Sequence, residues 1–118
     1  MSAPELVARA FAVRTAAHLA HLQARTLSQH LALGSFYDDI LGPVDDFCEV
    51  YQGLFDLIKE YPQIPVPTDE PLVFLVDFVD WLRKYRDACA QGETALENII
   101  DETTAITART IYKLRFLK

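Results

Sequence analysis

The chain has 118 residues, of which 51% are hydrophobic, so it has the length and the material for one packed domain and is not a disordered segment. Its net charge is −6 and no run of Lys and Arg is long enough to track a phosphate backbone, which disfavours nucleic-acid binding, DNA binding included, as the main task. Cys48 and Cys89 stand far apart without CxxC spacing, which indicates neither a zinc finger nor a disulfide framework.

The first helix opens with Ser2 as N-cap and with Pro4 and Glu5 in its first turn. Leu6, Ala10, Val13, Ala17, Ala20, Ala24, Leu27 and Leu31 then recur at steps of three and four, the mark of a helix buried along a narrow stripe. A second helical pattern runs from about Ser28 to Glu60, carrying Phe36, Ile40, Val44, Phe47, Tyr51, Leu54 and Ile58. Gly34-Ser35 marks a weak point in it, and Gly42-Pro43 predicts a kink, because proline lacks the backbone donor and clashes with the previous turn.

"YPQIPVPTDEP", residues 61–71, holds four prolines. Such chain extends at ~3.1 Å per residue, so this stretch reaches ~30 Å, about the length of a twenty-residue helix. It is long enough to return along a whole bundle, leaving the second and third helices parallel. The third helix starts near Asp69 with Pro71 just inside it, buries Leu72, Leu75, Val79 and Leu82 with Phe74, Phe78, Trp81 and Tyr85 beside them, and stops at Gly92. Thr94-Ala-Leu-Glu97 reads as a capping box for the fourth, which continues through Leu96, Ile99, Thr103, Ile106, Thr110 and Leu114. Arg109, Lys113, Arg115 and Lys118 gather at its end, where they complement the helix dipole. The expected fold is all-α: a four-helix bundle, one domain over residues 1–118, with a Pro-rich crossover between helices two and three.

All three histidines fall within "AHLAHLQARTLSQH", residues 17–30. His18 and His21 share one helix face. His21 and His30, nine apart, lie on opposite sides of an unbroken helix at ~100° per residue. They meet only if the helix breaks between them, for which Thr26 and Ser28 are suitable caps, or if partner chains complete a site. Further on, His30, Gly34, Asp38, Leu41, Asp45 and Glu49 form one longitudinal stripe, and Asp45 and Glu49 are spaced to grip one cation. Imidazole with carboxylate suits iron, manganese or zinc. Glu97, Asp101 and Glu102 are explained more simply by capping and the dipole.

"HLALGSFYDDILGPVDDFCE", residues 30–49, resembles the helix of Dps-type miniferritins: a histidine (His30), a tyrosine–acid pair (Tyr37-Asp38), then Asp-x-x-x-Glu (Asp45 and Glu49). The upstream histidine of that pattern maps to His18 by spacing, or to His21 if the loop is three residues shorter, and His21-Leu22-Gln23 then resembles the family's His-Trp-Asn. The resemblance implies a ferritin-like fold and an iron site with ferroxidase-type activity, in which the histidines of one subunit face the Asp and Glu of another, so that a dimer or larger homo-oligomer is required. One ligand departs: where the family has a carboxylate, four residues after the second histidine, this chain has Gly34. The chain also lacks a lysine-rich tail, so DNA compaction and a closed shell carry over poorly. The whole chain is similar to a family of small tailed-phage proteins considered ferritin-like, through "HLAHLQARTLSQHLAL", "FYDDI", "EVYQG" and "NIIDE…IYKLRFL".

Two functions from different classes follow as expectations. The first is an iron-binding ferritin-like protein using His18, His21, His30, Asp45 and Glu49. The alternative is a non-catalytic helical interaction protein that keeps the fold without the metal. The free thiols and the absence of a basic-then-apolar leader point to the cytoplasm, the host's if the chain is phage-encoded. No apolar run approaches the ~20 residues that a membrane span needs.

Overall fold

Five α-helices fill most of residues 2–118, the part of the chain that the computed structural model describes: α1 (Ala3–Gln23), α2 (Leu27–Asp39), α3 (Leu41–Leu54), α4 (Pro71–Ala90) and α5 (Thr94–Phe116). α2 and α3 form one rod bent at Ile40, so the five segments make the four rods that the periodicities predict. The bend follows from Pro43. Lacking an N–H, it gives the Asp39 carbonyl no helical donor, and the ladder restarts with the Val44 amide on the Ile40 carbonyl at 3.3 Å. α2 runs straight through Gly34-Ser35, where a weak point was expected.

The rod ends at Leu54, six residues short of the expected Glu60. Side chains take the amides that would have continued it. Gln52 Oε1 accepts from the Ile58 N–H at 2.9 Å, and Asp56 Oδ1 from that of Leu57 at 2.8 Å. A second correction concerns Leu27 and Leu31, expected on the buried stripe of the first helix. The chain breaks at 24–26, with the Thr26 hydroxyl capping the Gln29 amide at 3.2 Å, and α2 departs in a new direction. That leaves Leu27 and Leu31 72% and 59% exposed. The capping box at Thr94 is also absent: Glu93 is the N-cap, no side-chain cap bond forms, and Glu97 reaches Arg86 instead.

α1 packs on α2, α3 and α4, and α5 packs on the same three, while the backbone of α4 stays apart from those of α2 and α3. The bent rod and α4 are therefore diagonal across the bundle. Gln91, just past the end of α4, donates to Tyr51 Oη near the end of α3 at 3.4 Å, so the two run parallel, as the long crossover requires. The crossover returns along α1, with Tyr61, Pro62 and Ile64 against Ala8, Phe11 and Ala12. Tyr61 Oη also lies 3.3 Å from Cys48 Sγ, and this contact, with partial burial, pushes its pKa up to about 12.

One apolar cluster joins all five helices around Phe36, Phe47, Phe78, Leu75, Leu82 and Leu96. The alanines of α1 (Ala10, Ala16 and Ala17) let its neighbours approach closely. Burial holds the Cys89 thiol up at about 11, so it stays protonated and inert. Thr103, Thr107 and Thr110 are buried without penalty because each hydroxyl donates to the carbonyl one turn back. Among the described residues no helix is long and apolar enough to cross a membrane.

Candidate metal centre

The turn between α1 and α2 brings His21 and His30 together. Their rings stack with centroids 3.7 Å apart and planes 21° from parallel. Each Nδ1 points at the other residue's main chain: His21 Nδ1 lies 2.6 Å from the His30 carbonyl oxygen, and His30 Nδ1 lies 2.9 Å from that of His21. A carbonyl only accepts, so both Nδ1 atoms carry the proton and donate. The neutral ring then presents its lone pair at Nε2, the arrangement in which a backbone carbonyl fixes the tautomer and orientation of a metal-binding imidazole.

Gly34 explains how the rings fit. A Cβ at this position would lie 2.9 Å from His21 Cε1 and 3.0 Å from His21 Nδ1. The glycine that stands where the miniferritin pattern has a carboxylate is therefore the surface against which the His21 ring rests. A side chain there and the His21 ring compete for the same space.

His18 belongs to the same cluster but is held differently. It is exposed and stacks on Tyr37, with centroids 4.0 Å apart and planes 9° from parallel, and its ring centre is 6.3 Å from that of His21. Tyr37 meets His21 edge-on at 5.3 Å. Arg14 anchors this region, its Nε donating to the Tyr37 carbonyl at 2.7 Å and its guanidinium lying 5.7 Å from the Tyr37 ring. Arg14 and the packing role of Gly34 escape the sequence reading. A glycine one turn after His30 was the signal for the second.

Asp45 and Glu49 sit one turn apart on α3, both exposed. They lie fifteen residues or more beyond His30 on the same rod, about 22–28 Å along it at 1.5 Å per residue. Asp38 is exposed as well. Among the described residues, no group of three or more His, Cys, Asp or Glu is placed to hold a metal ion. One chain thus carries a pair of oriented imidazoles and, separately, a pair of carboxylates. Leu19, Leu22, Leu27 and Leu31 surround the histidine turn and are 50–72% exposed.

The acids of α5 are engaged elsewhere. Arg86 grips Asp101 with two bonds, Nε–Oδ1 at 2.7 Å and Nη2–Oδ2 at 2.8 Å, and touches Glu97 at 3.4 Å. The Arg86 hydrogen bonds and charge hold the Asp101 carboxyl below its ordinary range.

The fold and this cluster define an all-helical bundle whose first hairpin is closed by paired histidines. Residues 21–114 match DUF5856, a family of unknown function, and the chain belongs to that family. No curated protein and no solved structure matches the chain. The matched stretch contains His21, His30, Gly34, Asp45 and Glu49, and begins after His18.

Proposed function

We propose that this protein is a ferritin-like metal-binding protein that holds iron between two copies of itself. His21 and His30 of one copy supply nitrogen ligands, and Asp45 and Glu49 of the other supply oxygen ligands. The observation that carries this reading is the reciprocal Nδ1–carbonyl bonding, which orients both rings and leaves both Nε2 lone pairs free. His18, stacked on Tyr37, is the third nitrogen within reach of the cluster. The parallel diagonal rods joined by a long crossover agree with a ferritin-like chain path. The exposed leucines around the histidines give a second copy an apolar surface to cover, beside the place where its carboxylates are needed.

Mixed imidazole and carboxylate donors suit ferrous iron, and accept manganese or zinc with the same residues. Carboxylates additionally favour the harder ferric ion, which is the chemical basis for a ferroxidase-type activity at such a site.

The test is metal content by mass spectrometry of untagged protein, with native mass from light scattering, before and after anaerobic addition of Fe²⁺. Wild type is expected to be a dimer or larger with near-stoichiometric metal. Asp45→Ala with Glu49→Ala, both exposed positions, is expected to keep the helical spectrum and lose the metal. A metal-free wild type that still pairs through its leucines returns the chain to the class of helical interaction proteins.

A further inference from the structure

The stripe of the bent rod that carries His30, Gly34, Asp38, Leu41, Asp45 and Glu49 has no buried member, whereas Leu33, Phe36, Ile40, Val44 and Phe47 of the same rod lie in the core. In an isologous pair, if one residue faces a second residue of the other copy, that second residue also faces the first. Two rods whose His30 meets the other's Asp45 and Glu49 are therefore antiparallel. The two-fold axis then crosses each rod midway between these residues, beside Asp38 and Asp39. Asp38 is the one on the stripe, and Asp39 lies ~100° further round the helix. A residue beside the axis faces its own counterpart. The Asp38 carboxylate is exposed and makes no ion pair or hydrogen bond with any described residue. Arg14, the cation beside this segment, is taken by the Tyr37 carbonyl and ring.

We infer that the two Asp38 carboxylates of a pair confront each other at its two-fold axis, and that their repulsion makes assembly of the shared site depend on the metal. The inference rests on the iron reading above and adds the regulation of that site. Like charges weaken the metal-free pair. A metal that binds only across the interface restores it, because a ligand held by the assembled form alone favours assembly.

The test uses full-length protein with Cys48→Ser and one new cysteine at an exposed position, Asp38→Cys or Leu27→Cys, while the buried Cys89 stays unreactive. A short bismaleimide is added anaerobically with and without Fe²⁺, and covalent dimer is read on a denaturing gel. Asp38→Cys is expected to link to its own counterpart, and more so with Fe²⁺. Leu27→Cys is expected not to link, since its counterpart lies about 33 Å away in this pairing at 1.5 Å per residue. Sedimentation equilibrium of the metal-free protein then compares Asp38→Asn with Asp39→Asn, which remove the same charge. Asp38→Asn is expected to tighten the pair about two- to fivefold more than Asp39→Asn, a difference that fades between about 0.01 M and about 1 M salt. Circular dichroism checks that each variant folds. Linking at Leu27→Cys in place of Asp38→Cys, or equal effects of the two asparagines, overturns the inference, and a wild type that still loads iron leaves the iron reading standing. A wild type that takes up no iron removes that reading, and the inference with it.

Discussion

The two short hairpins of this bundle turn in the same number of residues, 24–26 and 91–93, yet close by different means. The α4–α5 turn is built from backbone. Gln91 and Gly92 take left-handed conformations at φ 51° and 81°, the Gln91 amide bonds back to Asp87, and an exposed Arg86–Asp101 ion pair ties the helices from outside. The α1–α2 turn has no residue at positive φ and is closed by two imidazoles, each donating to the other's carbonyl. A backbone-closed turn is indifferent to what its side chains bind. In the histidine-closed turn, the groups that hold the chain reversal are the same ones that present two free lone pairs, so its stability and its chemistry are coupled.

Substitutions separate the two designs. His21→Ala is expected to have the largest effect, about 2–3 kcal/mol in urea denaturation, since it leaves a void beside Gly34 and removes the imidazole bond that ties α1 to the His30 carbonyl. Gly34→Ala comes next and tests the sign. Helix propensity alone gains about 1 kcal/mol, but the new Cβ meets the His21 ring, so a net loss of about 1 kcal/mol is expected. In a His21→Ala background the same change should stabilise, which assigns the conflict to the ring. Gly92→Ala, at positive φ with open space around it, is expected to cost about 1 kcal/mol through backbone strain alone. Arg86→Gln is expected to have the smallest effect, visible in melting temperature at low salt. Because Arg86 holds Asp101 below its ordinary pKa of 3.8, the pair's contribution is complete above that pH and is lost as pH falls below it. Wild type and Arg86→Gln should therefore converge in acid.

The sequence made much of the architecture legible. Steps of three and four marked each rod, the prolines of 61–71 marked the crossover and its parallel consequence, and Gly92 marked the end of α4. Thr26 was visible as a cap, but the apolar period ran through it to Leu31, so the reversal that exposes Leu27 and Leu31 was hidden by a continuous pattern. The histidine pair was hidden for the same reason. Nine residues place His21 and His30 on opposite sides of a helix, and only a turn of three residues between them stacks the rings. Gly34 read as a missing ligand because sequence registers what a position lacks. The ring that fills the space comes from another helix. Helix ends were the least legible, since at Gln52 and Asp56 side-chain competition decided them.

The measurement that addresses the shared site most directly is subunit complementation. Chains carrying His21→Gln and His30→Gln, and chains carrying Asp45→Ala and Glu49→Ala, are each loaded with iron alone, then unfolded together, refolded as a mixture and loaded again. A site built across a two-fold interface predicts almost no metal in either variant alone and about a quarter of the wild-type amount in the mixture, because half the dimers are mixed and each restores one of two sites. A mixture as empty as its components, beside a wild type that binds iron, would contradict a site shared between copies.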